Sequence, residues 1–449
     1  MHLTALLLEE FRCYRHLALD IPARGLVITG ANGSGKSTVL EAIAFLSTTR
    51  SPRAGLDREM IRWESGSDLA SAPYTRVHGD LLGADGAVSL EIALQVERAT
   101  AEATAMTRKQ VKVNGIARRA VDAVGNLRAV VFAPSDLELI SGSPSVRRHY
   151  LDVMLSQVDR RYIRALAKYA ATLQQRNALL KRFASEGRRP NDPEVHAELT
   201  YWDEALIASG AYVFARRQIT VSRLSAHAEA AFLALTEGDR PLTVAYAPSI
   251  PIGQTAASLE DAEQIAARDF AQALQERRTE EHRRAVSVVG PHRDDMTILH
   301  GGMPIAAYGS RGQQRLAVLA LKLGEVAVMT EETGDPPIAL LDDILSELDP
   351  VHRAYVIERV TAAGDDGQVF ITGADDALTA IPALHDMQHA KAIDGTVVLT
   401  YQATVGGGRL PACSLAGWKP ASTGTATPLP SLTEPPHHGI LLSRYWGVV

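Results

Sequence analysis

The chain has 449 residues, 46% of them hydrophobic and 22% charged, with a formal net charge of -6. That length exceeds one typical core and predicts two domains with accessories; the composition is that of an ordinary soluble protein, and the charge excludes a uniformly basic surface though not a local basic face. Two cysteines, Cys13 and Cys413, offer neither a disulfide framework nor metal-ligand spacing.

Glu9 and Glu10 close behind the first apolar stretch are unlike a secretory leader, and no uninterrupted apolar run approaches a membrane span. A cytoplasmic protein with no membrane association is expected.

Residues 1–29 read as two or three strands: Leu3 to Leu8, Leu17 to Ile21, and Gly25 to Thr29. The last runs into Gly30-Ala31-Asn32-Gly33-Ser34-Gly35-Lys36-Ser37-Thr38, a full G-x-x-x-x-G-K-[ST]-T phosphate loop, and a helical pattern follows over Val39 to Leu46. Strand, loop and helix in that order are the context the motif requires. From about Asp68 to Val131 the chain is strand-like. Val88 to Val96 alternates cleanly, and Asn114-Gly115 makes a hairpin turn, which suggests an antiparallel sheet beside the phosphate-loop core.

Arg147 to Ala184 has no proline or glycine and carries apolar residues at helical spacing. A continuous helix there would reach roughly 55–60 Å. A loop at 187–193 follows, and Glu194 to Leu235 resumes helical spacing in the return direction, forming a helical hairpin. Thr243 to Tyr246 reads as a short strand, Ser258 to Arg284 as a helix capped by Ser258, and Val286 to Val289 as a strand. From Gly290 the pattern is α/β again, ending near Val397 to Tyr401. Beyond about 403 the composition collapses into Gly, Pro, Ser, Thr and Ala, so 403–449 reads as a disordered or loosely attached tail.

The phosphate loop predicts a polyphosphate held by backbone N–H groups at a helix N-terminus. Gly33 and Gly35 permit close approach, Lys36 reaches the β- and γ-phosphates, and Ser37 offers its hydroxyl to Mg²⁺. Asp342 ends the apolar run Ile338 to Leu341, as expected of the acid that holds Mg²⁺; Asp343 is placed to polarise an attacking water. The alternative is that this acidic pair merely caps the segment Ile344 to Leu348. Ser310-Arg311-Gly312-Gln313-Gln314 opens another long apolar-periodic helix with Ser310 as N-cap, a second anion-accepting helix end.

Phosphate loop, Ser310-x-Gly312-Gln313, Leu341-Asp342-Asp343 and Ser346-Glu347-Leu348-Asp349, in that order, resemble an ATPase head of the ABC superfamily. Such heads work in pairs, so the resemblance implies that Ser310, Gly312 and Gln313 close over ATP held on the phosphate loop of a second copy, with Asp349 at the seam. Arg311 replaces the usual second glycine.

Further stretches resemble one family, the bacterial recombination mediator RecF: Leu6 to Tyr14, the phosphate loop with Leu40 to Ile43, Val131 to Leu137, Gly142-Ser143-Pro144 with Arg147-Arg148, Gly290-Pro291-His292-Arg293-Asp294-Asp295, Ser310 to Arg315, and Gln368 to Thr372. The resemblance covers about residues 1–402. It implies a weak, DNA-stimulated ATPase that dimerises with ATP on DNA at junctions of duplex and single-stranded gap. It also implies partner mediator proteins of the same pathway, with slow hydrolysis as the reset. Two departures stand out. Many ABC heads carry a histidine after the final core strand, where this chain reads Ile371-Thr372-Gly373-Ala374-Asp375; and Ser135 stands where the family commonly has an acid.

Basic residues gather at three places: Arg147, Arg148, Arg160, Arg161, Arg164, Lys168, Arg176, Lys181 and Arg182 along the helical arm; Arg50, Arg53, Arg58 and Arg62; and Arg108, Lys109, Lys112, Arg118 and Arg119. Each such residue that neutralises a phosphate adds salt-dependent, sequence-independent affinity for DNA, and each equally fits a solvated face. His292 with its neighbouring acids lacks a firm metal-ligand spacing and reads as a structural turn or a nucleotide-sensing contact.

The expectation is an α/β P-loop ATPase head of the ABC type, a mixed sheet with an antiparallel subdomain, formed by 1–146 and 287–402 and interrupted by a helical arm domain at 147–286. The rival readings are a structural DNA tether with coiled-coil arms, a transporter's ATPase subunit, and a nucleotide-switched binding module without turnover.

Overall fold

In the computed structural model, residues 1–67, 72–83, 86–97, 106–189, 192–238, 240–253, 256–361, 367–373, 378, 381, 384, 387–393 and 396–400 are described. The tail at 403–449 lies outside them, as do residues 374 and 375.

Strands β1 (His2–Phe11) and β2 (Tyr14–Asp20) pair as a hairpin, and β3 (Gly25–Thr29) is buried at every position, as a central parallel strand must be. Helix α1 (Lys36–Thr48) leaves the phosphate loop directly and buries Val39, Leu40, Ile43 and Phe45. Strands β4 (Tyr74–Gly83), β5 (Gly86–Val96), β6 (Thr107–Val113) and β7 (Ile116–Arg118) extend the first hairpin into an antiparallel sheet of order β2-β1-β4-β5-β6-β7. Asn114 and Gly115 both take positive φ between β6 and β7, the turn whose twist suits a hairpin. Helix α2 (Ala120–Ala123) follows, and then β8 (Ala129–Phe132) leaves this sheet for another one. The antiparallel unit therefore stops short of Val131, the end expected from strand-like character alone.

After α3 (Glu138–Ser141) come α4 (Pro144–Val158) and α5 (Arg160–Ser185). The expected continuous helix is broken at Asp159, whose backbone is extended and whose Oδ1 accepts the N–H groups of Arg161 at 2.8 Å and Tyr162 at 2.9 Å. An acidic N-cap wins over unbroken apolar spacing, which continues on both sides of it. Helix α6 (Pro193–Leu235) packs back along α5, and β9 (Leu242–Ala247) and α7 (Leu259–Arg284) follow, the latter capped by Ser258. Residues 286–289 form no strand. Two of their backbone donors go to side chains instead, Ser287 N–H to Asn177 Oδ1 at 2.8 Å and Val288 N–H to Glu281 Oε1 at 3.0 Å, while Val286 N–H goes to the Glu281 carbonyl.

Strands β10 (Asp295–His300) and β11 (Met303–Pro304) join β9 in a small antiparallel sheet. Then come α8 (Ile305–Tyr308), α9 (Arg311–Thr333), β12 (Ile338–Asp342), α10 (Pro350–Thr361), β13 (Val369–Gly373), β14 (Gln388–Ile393) and β15 (Thr396–Thr400). The second six-stranded sheet has the order β15-β14-β3-β13-β12-β8 and is parallel throughout except for the edge pair β14–β15.

The two large sheets enclose one apolar core with α1, and the other face of the parallel sheet carries a second core with α9. Buried Gln368 ties the sheets together: its Oε1 accepts the Leu3 N–H and its Nε2 donates to the Leu3 and Pro22 carbonyls, all within 2.9 Å. The second core crosses the boundaries at 147 and 286. Tyr150, Leu151 and Met154 of α4 and Val221, Leu224 and Phe232 of α6 lie in it beside Leu319 and Leu321 of α9. Gly324 allows that crossing, since a Cβ there would come within 3.2 Å of the Ala228 nitrogen. A separate cluster around Tyr169, Leu206, Phe214 and Phe270 holds α5, α6 and α7 together. Between the two, fully buried Arg217 bridges Asp152 at 2.8 Å and Asp294 at 3.3 Å and donates to the Pro291 carbonyl at 2.6 Å.

Candidate nucleotide site and nucleic-acid surface

The phosphate loop connects β3 to α1 through three glycines in positive φ, Gly30, Gly33 and Gly35. A Cβ on Gly30 would lie 2.4 Å from the Ala392 carbonyl oxygen, and one on Gly35 would lie 2.6 Å from the Tyr14 hydroxyl. Larger residues are thus barred by packing as well as by backbone angle. Tyr14 Oη donates to the Gly35 carbonyl at 3.1 Å, and burial lifts its phenol above the ordinary tyrosine range, so it stays a donor. Lys36 is 93% buried, and its Nζ donates to the carbonyls of Gly30 and Ala31, both at 2.8 Å. The ammonium is therefore held over the loop before any ligand arrives. Behind the loop, Glu41 receives Arg12 through both Nε and Nη2 and the Ser51 hydroxyl at 2.5 Å, which fixes the far side of α1.

Asp342 ends β12. In the sheet it pairs with Thr372 of β13, which pairs in turn with Ile28 of β3, so the carboxylate lies at the same strand-end crevice as the phosphate loop. Thr372 Oγ1 donates to Asp342 Oδ1 at 2.9 Å and accepts the Asp343 N–H at 3.1 Å. Asp343 takes positive φ and precedes a short 3-10 turn, but its side chain makes no capping bond, and its Oδ1 is buried without a hydrogen-bond partner among the described residues. Ser34 Oγ is likewise buried and unpartnered. Buried polar atoms left this way are costly and point to a polar ligand. The donor set fits MgATP: an ammonium and loop N–H groups for phosphates, a hydroxyl and a carboxylate for a hard cation.

Ser310 caps α9 as expected, accepting the Gln313 N–H at 3.2 Å, while Gln313 Oε1 accepts the Ser310 N–H at 2.9 Å. Gln313 thus completes a reciprocal cap. Ser310, Arg311 and Gly312 are exposed. Asp349 accepts the N–H groups of Val351 and His352 and pairs with the His352 ring, whose other nitrogen meets the Leu235 carbonyl at 2.8 Å.

The basic residues separate sharply. Arg147 forms a two-bond pair with Asp295 at 2.6 and 2.9 Å and donates to the Gly142 carbonyl; Arg148 donates to the Asp294 carbonyl at 2.6 Å. Both are bound into the seam between α4 and residues 294–295. Arg176 is fully buried between Asp203 and Glu281. Arg62 is tied to Glu10, Lys109 to Asp57 and Lys112 to Glu91. Arg160, Arg161 and Arg164 remain exposed on α5, with Arg161 paired to Glu263 at 2.6 Å and Arg164 to Asp122 at 3.2 Å. His292 is engaged through both ring nitrogens, by the Tyr169 hydroxyl at 2.6 Å and the Ser287 carbonyl at 3.2 Å, and burial drives its pKa down to about 3.

A parallel sheet with a phosphate loop and an acidic strand end in one crevice, an antiparallel sheet beside it and a Ser-capped helix across its other face define a P-loop ATPase head of the ABC type. A family model described as RecF/RecN/SMC N terminal domain matches residues 2–389. The DNA replication and repair protein RecF of Roseiflexus castenholzii is 45% identical over 378 residues, which is 84% of this chain and 94% of that protein. Its counterpart in Thermomicrobium roseum is 42% identical over 401 residues, 88% and 99% of the two chains. Among solved structures, the recombination mediator protein RecF of the RecFOR pathway, in a form described as RecF-ATPrS, has a TM-score of 0.74 at 29% identity, covering 89% of this chain and 98% of its own. This chain belongs to the RecF family of DNA replication and repair proteins.

Sequence reasoning singled out the loop and the two acids but gave no role to Tyr14 or Thr372. Neither lies in a motif for phosphate or metal, and each acts by a hydrogen bond to a segment distant in sequence.

Proposed function

We propose that the chain is an ATP-dependent DNA-binding recombination mediator: ATP joins two copies on DNA at gapped or stalled-replication sites, and slow hydrolysis releases them. The observation that carries this reading is the buried, unpartnered Asp343 Oδ1 at the crevice that also holds Lys36 and Asp342. The RecF structures described as RecF-ATP and RecF-ATPrS support ATP as the nucleotide.

In this reading residues 30–38 wrap the phosphates, and Lys36 exchanges its bonds to the Gly30 and Ala31 carbonyls for β- and γ-phosphate oxygens. Ser37 and Asp342 would hold Mg²⁺, which neutralises phosphate charge when bound. Thr372 orients Asp342 and, through the Asp343 N–H, keeps the second acid turned out of the strand. Asp343 takes the proton of the attacking water. Exposed Ser310 and Gly312, with Gln313, meet the nucleotide on a second copy, where the α9 N-terminus adds partial positive charge. Duplex or gapped DNA lies against exposed arginines of α5, and other mediators of the pathway bind the assembled pair. The head comprises 1–146 and 287–402 together with α4, β9 and the second half of α6; the arm is the remainder of 147–286.

The test is ATP turnover and DNA binding by the purified chain. Turnover that rises with gapped duplex, and is lost in Asp343→Asn while ATP still binds, supports the reading. A chain that binds neither ATP nor DNA overturns it.

A further inference from the structure

Two basic clusters that are separate in sequence meet in space. Arg118 at the end of β7, and Arg119 with Asp122 at α2, form one wall of an open cleft of about 430 Å³; Arg160 and Arg164 of α5 form the other. Arg160 and Arg164 stand about one helical turn apart, roughly 6 Å along the axis. Asp122 joins the walls, accepting Arg119 at 2.8 Å and Arg164 at 3.2 Å. The Arg119 hydrogen bond, then that of Arg164, holds its carboxyl below the ordinary aspartate range, so it stays charged. Arg118 and Arg160 are exposed and have no ion-pair partner among the described residues. Four guanidinium groups against one carboxylate leave the cleft three charges positive on a chain that is acidic overall.

We infer that this cleft grips the phosphodiester backbone of nucleic acid across the seam between the antiparallel sheet and the helical arm, with Asp122 as the internal anion that competes with phosphate. The inference rests on the DNA-binding reading and gives it an address. Planar guanidinium forks match phosphate oxygens. Among the described residues no aromatic side chain lines the cleft, so bases have nothing to stack on and the grip is indifferent to sequence. Arg118 and Arg160 supply unspent charge, and Arg119 and Arg164 become available as a phosphate displaces Asp122.

The experiment is fluorescence anisotropy of the full chain with a short labelled duplex over a range of salt, with ATP binding measured in parallel. Arg118→Glu/Arg160→Glu should weaken duplex binding about 10- to 100-fold and lower the slope of log affinity against log salt by about 2, without changing ATP affinity. Arg118→Lys/Arg160→Lys keeps the charge and should bind within a few-fold of the parent, which separates lost charge from lost folding. Asp122→Asn should bind a few-fold more tightly. A charge-reversed chain that binds duplex as the parent does, or an Asp122→Asn chain that binds more weakly, overturns the inference while leaving DNA binding itself intact. A parent chain that binds no duplex overturns both.

Discussion

Thr372 Oγ1 sits between two acids, donating to Asp342 Oδ1 at 2.9 Å and accepting the Asp343 N–H at 3.1 Å. One hydroxyl on the middle strand thus orients the Asp342 carboxylate and holds the backbone of Asp343. Thr372→Val keeps the shape and removes both bonds. It should lower ATP turnover about 10-fold or more, with a smaller change in ATP affinity, and the stranded N–H should cost about 1–3 kcal/mol of stability. Steady-state kinetics beside a nucleotide-binding titration checks the split.

Lys36 is buried and spends its charge on two loop carbonyls. Lys36→Met should fold, since it relieves a buried ammonium of its solvation cost. It should lose ATP affinity about 100-fold, as expected when a charge-assisted contact to phosphate disappears. Binding of a fluorescent ATP analogue, with thermal melting as the control for folding, measures this.

Asp343→Asn replaces the proposed base with a neutral group of the same size. General-base removal costs about 100- to 10,000-fold in turnover. ATP affinity should hold, because the substitution keeps the size of the side chain and Asp343 Oδ1 has no hydrogen-bond partner among the described residues. Single-turnover hydrolysis with and without gapped DNA reports the change.

His292 carries a pH dependence of stability. Burial lowers its folded pKa to about 3, below an unfolded value near 6.5. Below about pH 6.5 the unfolded chain therefore binds the extra proton. The stabilising share of a neutral His292 is complete above that pH and is lost as pH falls toward 3, at up to about 1.4 kcal/mol per pH unit. Denaturant melts of the parent and of His292→Gln across pH 7 to about 4 should converge as pH falls.

How much of this was legible in the sequence depended on whether each signal was local. The phosphate loop, the acidic strand end and the Ser310 cap each announce themselves within a few residues, and the structure has the loop at a strand–helix junction and the cap on α9. The break at Asp159 was hidden because apolar spacing runs through it, and Val286 to Val289 misled because β-branched residues also suit an extended segment bonded by Asn177 and Glu281. Charge alone could not separate Arg147 and Arg148, bound to Asp295 and Asp294, from Arg160 on the surface. That division depends on contacts between residues nearly 150 positions apart.

The central claim is that one nucleotide site needs two chains, and the most direct measurement is the mass of Asp343→Asn in solution by light scattering with and without ATP. The account predicts a monomer without nucleotide and a dimer with ATP, with the dimer lost on adding Ser310→Arg at the cap. A particle that stays monomeric with saturating ATP and DNA present would contradict it.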